Sequence, residues 1–352
     1  MFLINSPMRK ARILNVMLGR GRGGLEQMYI HYAEAAMRAG YESYALHDEK
    51  FAYESFSKKI FQTTLRQYSQ FDLMAATRLG RVIARISPHL IVSHGNRALR
   101  LVSLANIFCK KNHITVLHNY RIKNFSHLHG VIALTEDLKN LAIQKKFPES
   151  KIALLPNFLL APQDVGTKEQ KSTLVFGFMG RHVPAKGIDI LIEAVKKLAE
   201  TRADFLVIIA GSGPECAQHT QRVESARLQK HIQFTGWVDD KKSFLHGLDA
   251  LIVPSRLEPF GLVYLEAWQH GLPVLATPNQ GARAIVRHGV NGLVAHDMSA
   301  QALAALMFQI LHDRGTLAAL RRGAAESYHA YAWPGCAQNF KATLEKFMAS
   351  AE

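Results

Sequence analysis

Short apolar runs alternate with helix-competent stretches along the whole chain. Residues 11–18 (ARILNVML) read as a strand, and the glycine-rich loop 19–24 leads into a helix predicted from residue 25 to about residue 38. A strand over 42–47 follows, with others at 89–93, 114–117 and 131–134. Residues 50–86 carry helical propensity throughout. Tyr53, Phe56 and Ile60 form one apolar stripe there, and Phe61, Leu65 and Tyr68 another. Lys58, Lys59, Arg66, Arg78, Arg81 and Arg85 are interspersed, which fits an interfacial helix and equally a core helix with a solvated basic face.

Residues 159–172 (LLAPQDVGTKEQKS) are polar and contain Pro and Gly, as expected of a linker. The alternation then resumes. Strands are predicted at 173–179, 204–210, 248–253 and 274–276, and a last helix at about 335–352. Strands and helices at this spacing predict parallel sheets in an α/β fold. The two blocks predict a domain over 1–160, a linker at 161–172 and a second domain over 173–334.

One stretch organises the second block: 254–277, PSRLEPFGLVYLEAWQHGLPVLAT. It follows the buried-strand pattern at 248–253, bends at Pro259 and Gly261, and enters a helix over about 262–270 that Gly271 and Pro273 stop. The N–H groups of Phe260, Gly261 and Leu262 stand at a helix start, where an anion binds well. Glu258 and Glu266 lie eight residues apart. A carboxylate accepts from both hydroxyls of a vicinal diol, so each suits a sugar ring. By spacing alone the two are also an ordinary solvated pair.

At 352 residues the chain is long enough for two cores. No run approaches the roughly 18 apolar residues of a membrane span, and the opening MFLINSPMRKAR lacks the long apolar core of a secretion leader. Cys109, Cys216 and Cys336 are few and scattered, which suggests a reducing compartment and no zinc pattern. The net charge of +15 is uneven. Residues 1–160 hold 23 Lys and Arg against 10 Asp and Glu, a net of +13, so the excess sits in the first block. That asymmetry points to an anionic partner: a membrane surface, a phosphorylated substrate or nucleic acid.

The loop after the first strand admits two readings. Gly19, Gly21 and Gly24 make G-x-G-x-x-G, with Asp48 and Glu49 placed where a dinucleotide's ribose would be held. Arg20 and Arg22 are unusual beside so close a backbone approach. Two strand ends carry histidines, His94 before Gly95-Asn96 and His118 in TVLHN. In the second block, Gly180-Arg-His-Val-Pro-Ala-Lys-Gly187 places Arg181 and Lys186 at a strand end and a helix start, where two cations can neutralise a diphosphate without a metal. Alone they also fit an ordinary surface pair.

As a full string, 254–277 closely resembles the E-x7-E signature of the retaining GT-B glycosyltransferases of family 4 (glycosyl transferases group 1), including its Pro-Phe-Gly and trailing Ala-x-x-x-Gly-x-Pro-Val. Residues 180–187 resemble that family's G-R-x-x-x-x-K-G, and Gly23-Gly24-Leu25-Glu26 its G-G-x-E. Residues 154–158 (LLPNF) resemble its I-P-N-G-V, and 232–238 (IQFTGWV) its F-x-G-x-V. The match departs at Ala284-Ile-Val286, where the family commonly shows E-I-V. The resemblance extends to lipopolysaccharide-core transferases.

The resemblance implies a GT-B fold, with two Rossmann-like domains whose parallel sheets face each other across a cleft, and a last helix packed back on the first domain. It implies retaining transfer from a nucleoside-diphosphate sugar, a UDP-sugar first and a GDP- or ADP-sugar as alternatives. Catalysis falls to His118, Arg181, Lys186 and Glu258. Donor binding falls to Gly23, Gly24, Gly180, Val238, Phe260, Gly261, Leu262 and Glu266. Acceptor binding falls to Glu26, His94, Arg121 and Lys123. No D-x-D motif occurs, so neither a catalytic metal nor another cofactor is expected. The expected partners are an anionic glycan or lipid-linked acceptor and an acidic membrane surface, with no nucleic acid. The expected setting is peripheral, at the cytoplasmic face of the inner membrane. A sugar-nucleotide epimerase, and a non-catalytic membrane- or nucleic-acid-binding protein on the same scaffold, are the alternatives.

Overall fold

The first apolar run becomes an inner strand of a seven-stranded sheet. A computed structural model describes residues 10–21, 23–51, 56–121, 127–166 and 172–349. The chain forms two units: residues up to Leu160 with those from Pro334 onward, and Ala161–Trp333.

Unit 1 runs β1 (Arg12–Met17), α1 (Gly24–Arg38), β2 (Glu42–Asp48), β3 (Phe61–Leu65), α2 (Leu73–Ile86), β4 (Leu90–His94), α3 (Gly95–Cys109), β5 (His113–Leu117), β6 (Gly130–Ala133), α4 (Glu136–Gln144) and β7 (Ile152–Leu154). Its sheet has the order β3-β2-β1-β4-β5-β6-β7, and every pairing is parallel. Strands buried on both faces need apolar residues on both. Accordingly Leu14 and Val16 of β1 pack with Leu79, Ile83, Leu101 and Val102, while Met17 packs with Tyr29 and Ala33 of α1.

Unit 2 runs β8 (Leu174–Met179), α5 (Ile188–Ala199), β9 (Phe205–Ala210), α6 (Cys216–Ser225), β10 (Ile232–Gly236), α7 (Lys241–His246), β11 (Ala250–Val253), α8 (Leu262–Gln269), β12 (Val274–Ala276), α9 (Gln280–Ile285), β13 (Gly292–Val294), α10 (Ala300–His312) and α11 (Arg314–Tyr328). Its parallel sheet has the order β10-β9-β8-β11-β12-β13. The core gathers Phe176 and Phe178 of β8, Leu191 and Val195 of α5, and Leu303, Met307 and Ile310 of α10.

The chain then returns to unit 1 as α12 (Ala337–Ala349). Phe340 meets Tyr32 and Phe158 edge-on, at 5.4 and 5.5 Å between ring centres. Asn112 donates to the Phe347 carbonyl at 2.9 Å. Gly130 makes room for the Phe347 ring, since a Cβ there would fall 2.0 Å from it.

The helix expected across 50–86 is a correction. Residues 61–65 are instead the edge strand β3, and among the described residues of this span only Leu73–Ile86 is helical. The edge of β2 offers unpaired backbone groups, and pairing with them outweighs local helical propensity. Phe61 stacks on Tyr44 at 4.9 Å. Phe56 and Ile60 turn inward against the Tyr29 cluster, and Tyr53 lies outside the described residues.

Candidate active site

Strand order reverses between β8 and β11 in unit 2 and between β1 and β4 in unit 1. Open α/β sheets bind ligands beyond the strand ends at such points; Gly180 follows β8 and Glu258 follows β11 in unit 2, while Gly23 and Gly24 follow β1 and His94 ends β4 in unit 1.

In unit 2, the chain leaves β8 through Gly180 and exposed Arg181, makes one 3₁₀ turn at Pro184–Lys186, and enters α5 through Gly187. Gly187 has φ +67°, and a Cβ there would fall 2.0 Å from the Pro254 carbonyl oxygen. Only glycine lets this segment lie against the end of β11. Arg256 fastens the two together. Its N–H donates to the Ala185 carbonyl at 2.9 Å, and its guanidinium reaches Asp189 at 2.7 and 2.6 Å and the Pro184 carbonyl at 3.0 Å. Lys186 Nζ then stands 2.5 Å from Glu258 Oε2.

Gly261 starts α8 with φ +84°, where a Cβ would strike the Tyr264 ring at 2.5 Å. Phe260 and Leu262 beside it are buried. The Glu258 carbonyl accepts from Gly281 N at 2.7 Å, which sets the loop's curve. Glu266, in the second turn of α8, is also buried, and Lys241 Nζ reaches its Oε1 at 2.6 Å. Each buried carboxylate is thus partnered by one lysine, as a charge removed from water requires. Each also has a second oxygen able to accept from a hydroxyl. Val238 follows β10, partly exposed, next to exposed Trp237.

In unit 1, Gly23 caps α1, Gly24 is its first residue, and Glu26 lies buried in the first turn. The Glu26 carboxylate folds back over the glycine loop, and a Cβ on Gly21 would come within 2.9 Å of it. Asp48 is not available to a ribose. Its carboxylate takes Arg20 Nε at 3.0 Å, Gln67 Nε2 at 2.8 Å and Lys50 N at 2.9 Å. Burial raises the Asp48 pKa, but these bonds outweigh burial and hold it below the usual carboxylate value. Of the two acids offered to a dinucleotide's ribose, Asp48 is taken up in this way, and Glu49 pairs with Arg66 at 3.5 Å.

His94 ends β4, and its Nδ1 lies 3.1 Å from His118 Nε2 at the end of β5. The Tyr29 and Tyr32 rings meet His94 at 5.8 and 5.0 Å. Burial, with the neighbouring His118, pushes His94 well below its ordinary pKa, and burial brings His118 down to about 4. Both rings are neutral at physiological pH, and one donates to the other. His118 and Asn119, with Gly95, Asn96 and Thr115, line a small depression. Asn96 Nδ2 donates to the Arg121 carbonyl at 2.8 Å. Lys123 lies outside the described residues.

The structure therefore joins Lys186 to Glu258 and His94 to His118. Sequence reasoning missed Lys241, Arg256 and Asp189. Arg256 sits inside the 254–277 string, but nothing local announces its partner. Among the described residues, one triad has metal-ligand composition: Asp164, His246 and His270. Both imidazoles lie 3.1 Å from the Asp164 carbonyl oxygen, and Lys242 Nζ lies 2.9 Å from its carboxylate. The triad reads as a fastening of residue 164 to the ends of α7 and α8.

The fold is that of the GT-B glycosyltransferases. HepE of Anabaena, solved in complex with UDP-glucose, superposes with a TM-score of 0.78, covering 95% of this chain and 99% of that one at 21% identity. Residues 163–327 match the family model of glycosyl transferases group 1. Two lipopolysaccharide core biosynthesis glycosyltransferases of Rhizobium meliloti are similar over most of the length. LpsD is 25% identical over 90% of this chain and 92% of its own, and LpsE 26% identical over 87% and 90%. The fold is thus GT-B, and the stretch 163–327, nearly all of unit 2, is what resembles the group 1 glycosyltransferases.

The neutral histidines give a pH prediction. Every histidine with a resolved shift among the described residues is shifted down: His89, His94, His113, His118, His129, His182, His219 and His270. Between the ordinary value of 6.5 and about 4 for His118 the unfolded chain binds more protons than the folded one. Stability is expected to be full above that window and to fall as pH drops through it. The aspartates with resolved shifts, such as Asp48 and Asp189, lie below 3.8 and act only at lower pH. Thermal midpoints at fixed ionic strength check this, and a flat profile between neutrality and mild acid refutes it.

Proposed function

We propose that the chain transfers a sugar, with retention of configuration, from a nucleoside-diphosphate sugar to an anionic glycan or lipid-linked acceptor in assembly of a bacterial surface glycan such as a lipopolysaccharide core. The observation that carries this is the doubled Lys–Glu arrangement around α8: Lys186 with Glu258 before the helix, and Lys241 with Glu266 within it. In this reading Glu258 receives hydroxyls of the donor sugar and Glu266 those of the ribose. Arg181, Lys186 and the start of α8 spread the charge of the departing diphosphate. The acceptor oxygen forms its bond on the face from which the diphosphate leaves with the bonding pair, and the acceptor's hydroxyl proton passes to the departing phosphate oxygen. His118, supported by His94, lies by the donor sugar. Gly23 and Gly24 allow close approach of the donor, and Glu26 and Arg121 face the acceptor.

A UDP-sugar is the first donor to test, because HepE was solved with UDP-glucose. The names of LpsD and LpsE support a lipopolysaccharide-core acceptor. Among the described residues no helix is long and apolar enough to cross a membrane. Peripheral work at the cytoplasmic face fits the basic first block. A thermal-shift panel of UDP, GDP and ADP and their sugars tests the donor, because a ligand that binds the folded form raises the midpoint by mass action. Failure of every nucleotide to shift it rejects the reading.

The diphosphate's charge is assigned to side chains and a helix end, so transfer is expected to run at full rate in excess chelator. Product assays with and without EDTA decide this. Loss of transfer that magnesium restores refutes the assignment.

A further inference from the structure

Among the described residues, four large apolar side chains are exposed close together where β3 connects to the start of α2. Tyr68 is 70% exposed, Phe71 56%, Leu73 69% and Met74 73%. Apolar side chains so grouped on a surface mark a contact. The connection is braced. Gln67, buried, donates to Asp48 and to the Leu18 carbonyl. Asp72 caps α2, its carboxylate accepting from Ala75 N at 2.8 Å and Tyr68 N at 3.1 Å.

Cations surround this tip. Arg66 lies 5.3 Å from the centre of the Tyr68 ring, and Arg100 lies 3.8 Å from that of Phe71. Residues 56–111 contain ten Lys and Arg and a single acid, Asp72, which the cap occupies, while Glu49, outside that span, pairs with Arg66 at 3.5 Å. The exposed face of α2 changes character along its length, from Leu73 and Met74 at the start to Arg78, Arg81 and Arg85 below. At about 1.5 Å of rise per residue, Arg78 stands roughly 6–8 Å below the tip. An interfacial segment sinks its apolar part to about that depth and leaves its cations among the headgroups. Because α2 follows β3 in a parallel sheet, the tip sits on the same sheet edge as the Gly19–Gly24 loop and His94.

We propose that Tyr68, Phe71, Leu73 and Met74 insert into an anionic lipid leaflet while Arg66, Arg78, Arg81 and Arg100 engage its phosphates. The proposal builds on the reading that the acceptor is lipid-linked, and it makes docking apolar as well as electrostatic. The cationic collar favours lipid over a second copy of the chain, which would bring like charges together.

The test is vesicle sedimentation with phosphatidylcholine alone and with added phosphatidylglycerol, at low and high salt. Wild type is expected to bind the anionic vesicles and to retain part of that binding at high salt. A Phe71→Ser/Leu73→Ser/Met74→Ser variant is expected to lose at least about tenfold in binding while keeping its nucleotide thermal shift. A Met74→Trp variant is expected to gain fluorescence that lipids brominated near the headgroup quench. Unchanged sedimentation of the triple variant, absence of quenching in bound Met74→Trp, or a lipid-independent dimer that the triple substitution abolishes would each overturn the proposal. Transfer to a water-soluble acceptor fragment is measured alongside. If it proceeds while insertion fails, only the insertion is wrong; if it fails while insertion holds, only the enzymatic reading is wrong.

Discussion

Replacing Arg181 or Lys186 with alanine is expected to lower turnover about a hundredfold or more, the loss that follows removal of a donor to a developing negative charge. The two variants differ in their cost to the fold. Arg181 is exposed, so its loss is expected to leave the thermal midpoint unchanged. Lys186 partners buried Glu258 at 2.5 Å, and its removal strands that carboxylate. A cost of about 1–3 kcal/mol is expected, and Lys186→Ala/Glu258→Ala should recover part of it without recovering turnover. Near-normal turnover in both single variants would rule out the diphosphate assignment.

The second large effect is on stability. Gly187→Ala is expected to cost about 3 kcal/mol or more. The residue has φ +67°, and its Cβ would fall 2.0 Å from a backbone oxygen of Pro254. Strain at a left-handed position costs about 1–3 kcal/mol, and overpacking adds a similar amount. Gly40→Ala separates the two causes. That residue has φ +94°, with nothing within 4 Å of an added Cβ, so only the strain applies. Urea midpoints compare them, and equal losses would show that the clash with Pro254 relaxes freely.

These glycines explain why so much of unit 2 was legible. Gly187 and Gly261 hold backbone conformations that other residues rarely adopt, so the motif string reports geometry directly. The α/β class was legible for a similar reason, because a parallel strand buried on both faces leaves a continuous apolar run. What the sequence concealed depends on distant partners. β3 exists because β2 presents an edge to it, and no local window contains that fact. Lys241 meets Glu266 across 25 residues and two separate helices. Asp48 sits at the ribose spacing of a dinucleotide fold, yet Arg20 from the glycine loop itself occupies it. His94 and His118 carried separate expected roles, acceptor binding and catalysis, whereas their contact at 3.1 Å makes them a pair.

The return of α12 has a consequence for how the protein is made. Unit 2 is an uninterrupted span, Ala161–Trp333, inserted into unit 1. On the ribosome it can finish folding as soon as its last residues emerge, whereas unit 1, begun first, must wait for α12. Until Phe340, Leu344 and Phe347 arrive, Tyr32, Phe158 and the groove beside Gly130 lack the surface that covers them. Nascent chains truncated after residue 333 and extended by a flexible linker that clears the ribosome's exit tunnel should therefore carry a protease-resistant second unit and a first unit that chaperones still hold. A bulky fusion joined directly after α12 would be felt earliest in the half of the molecule that was synthesised first.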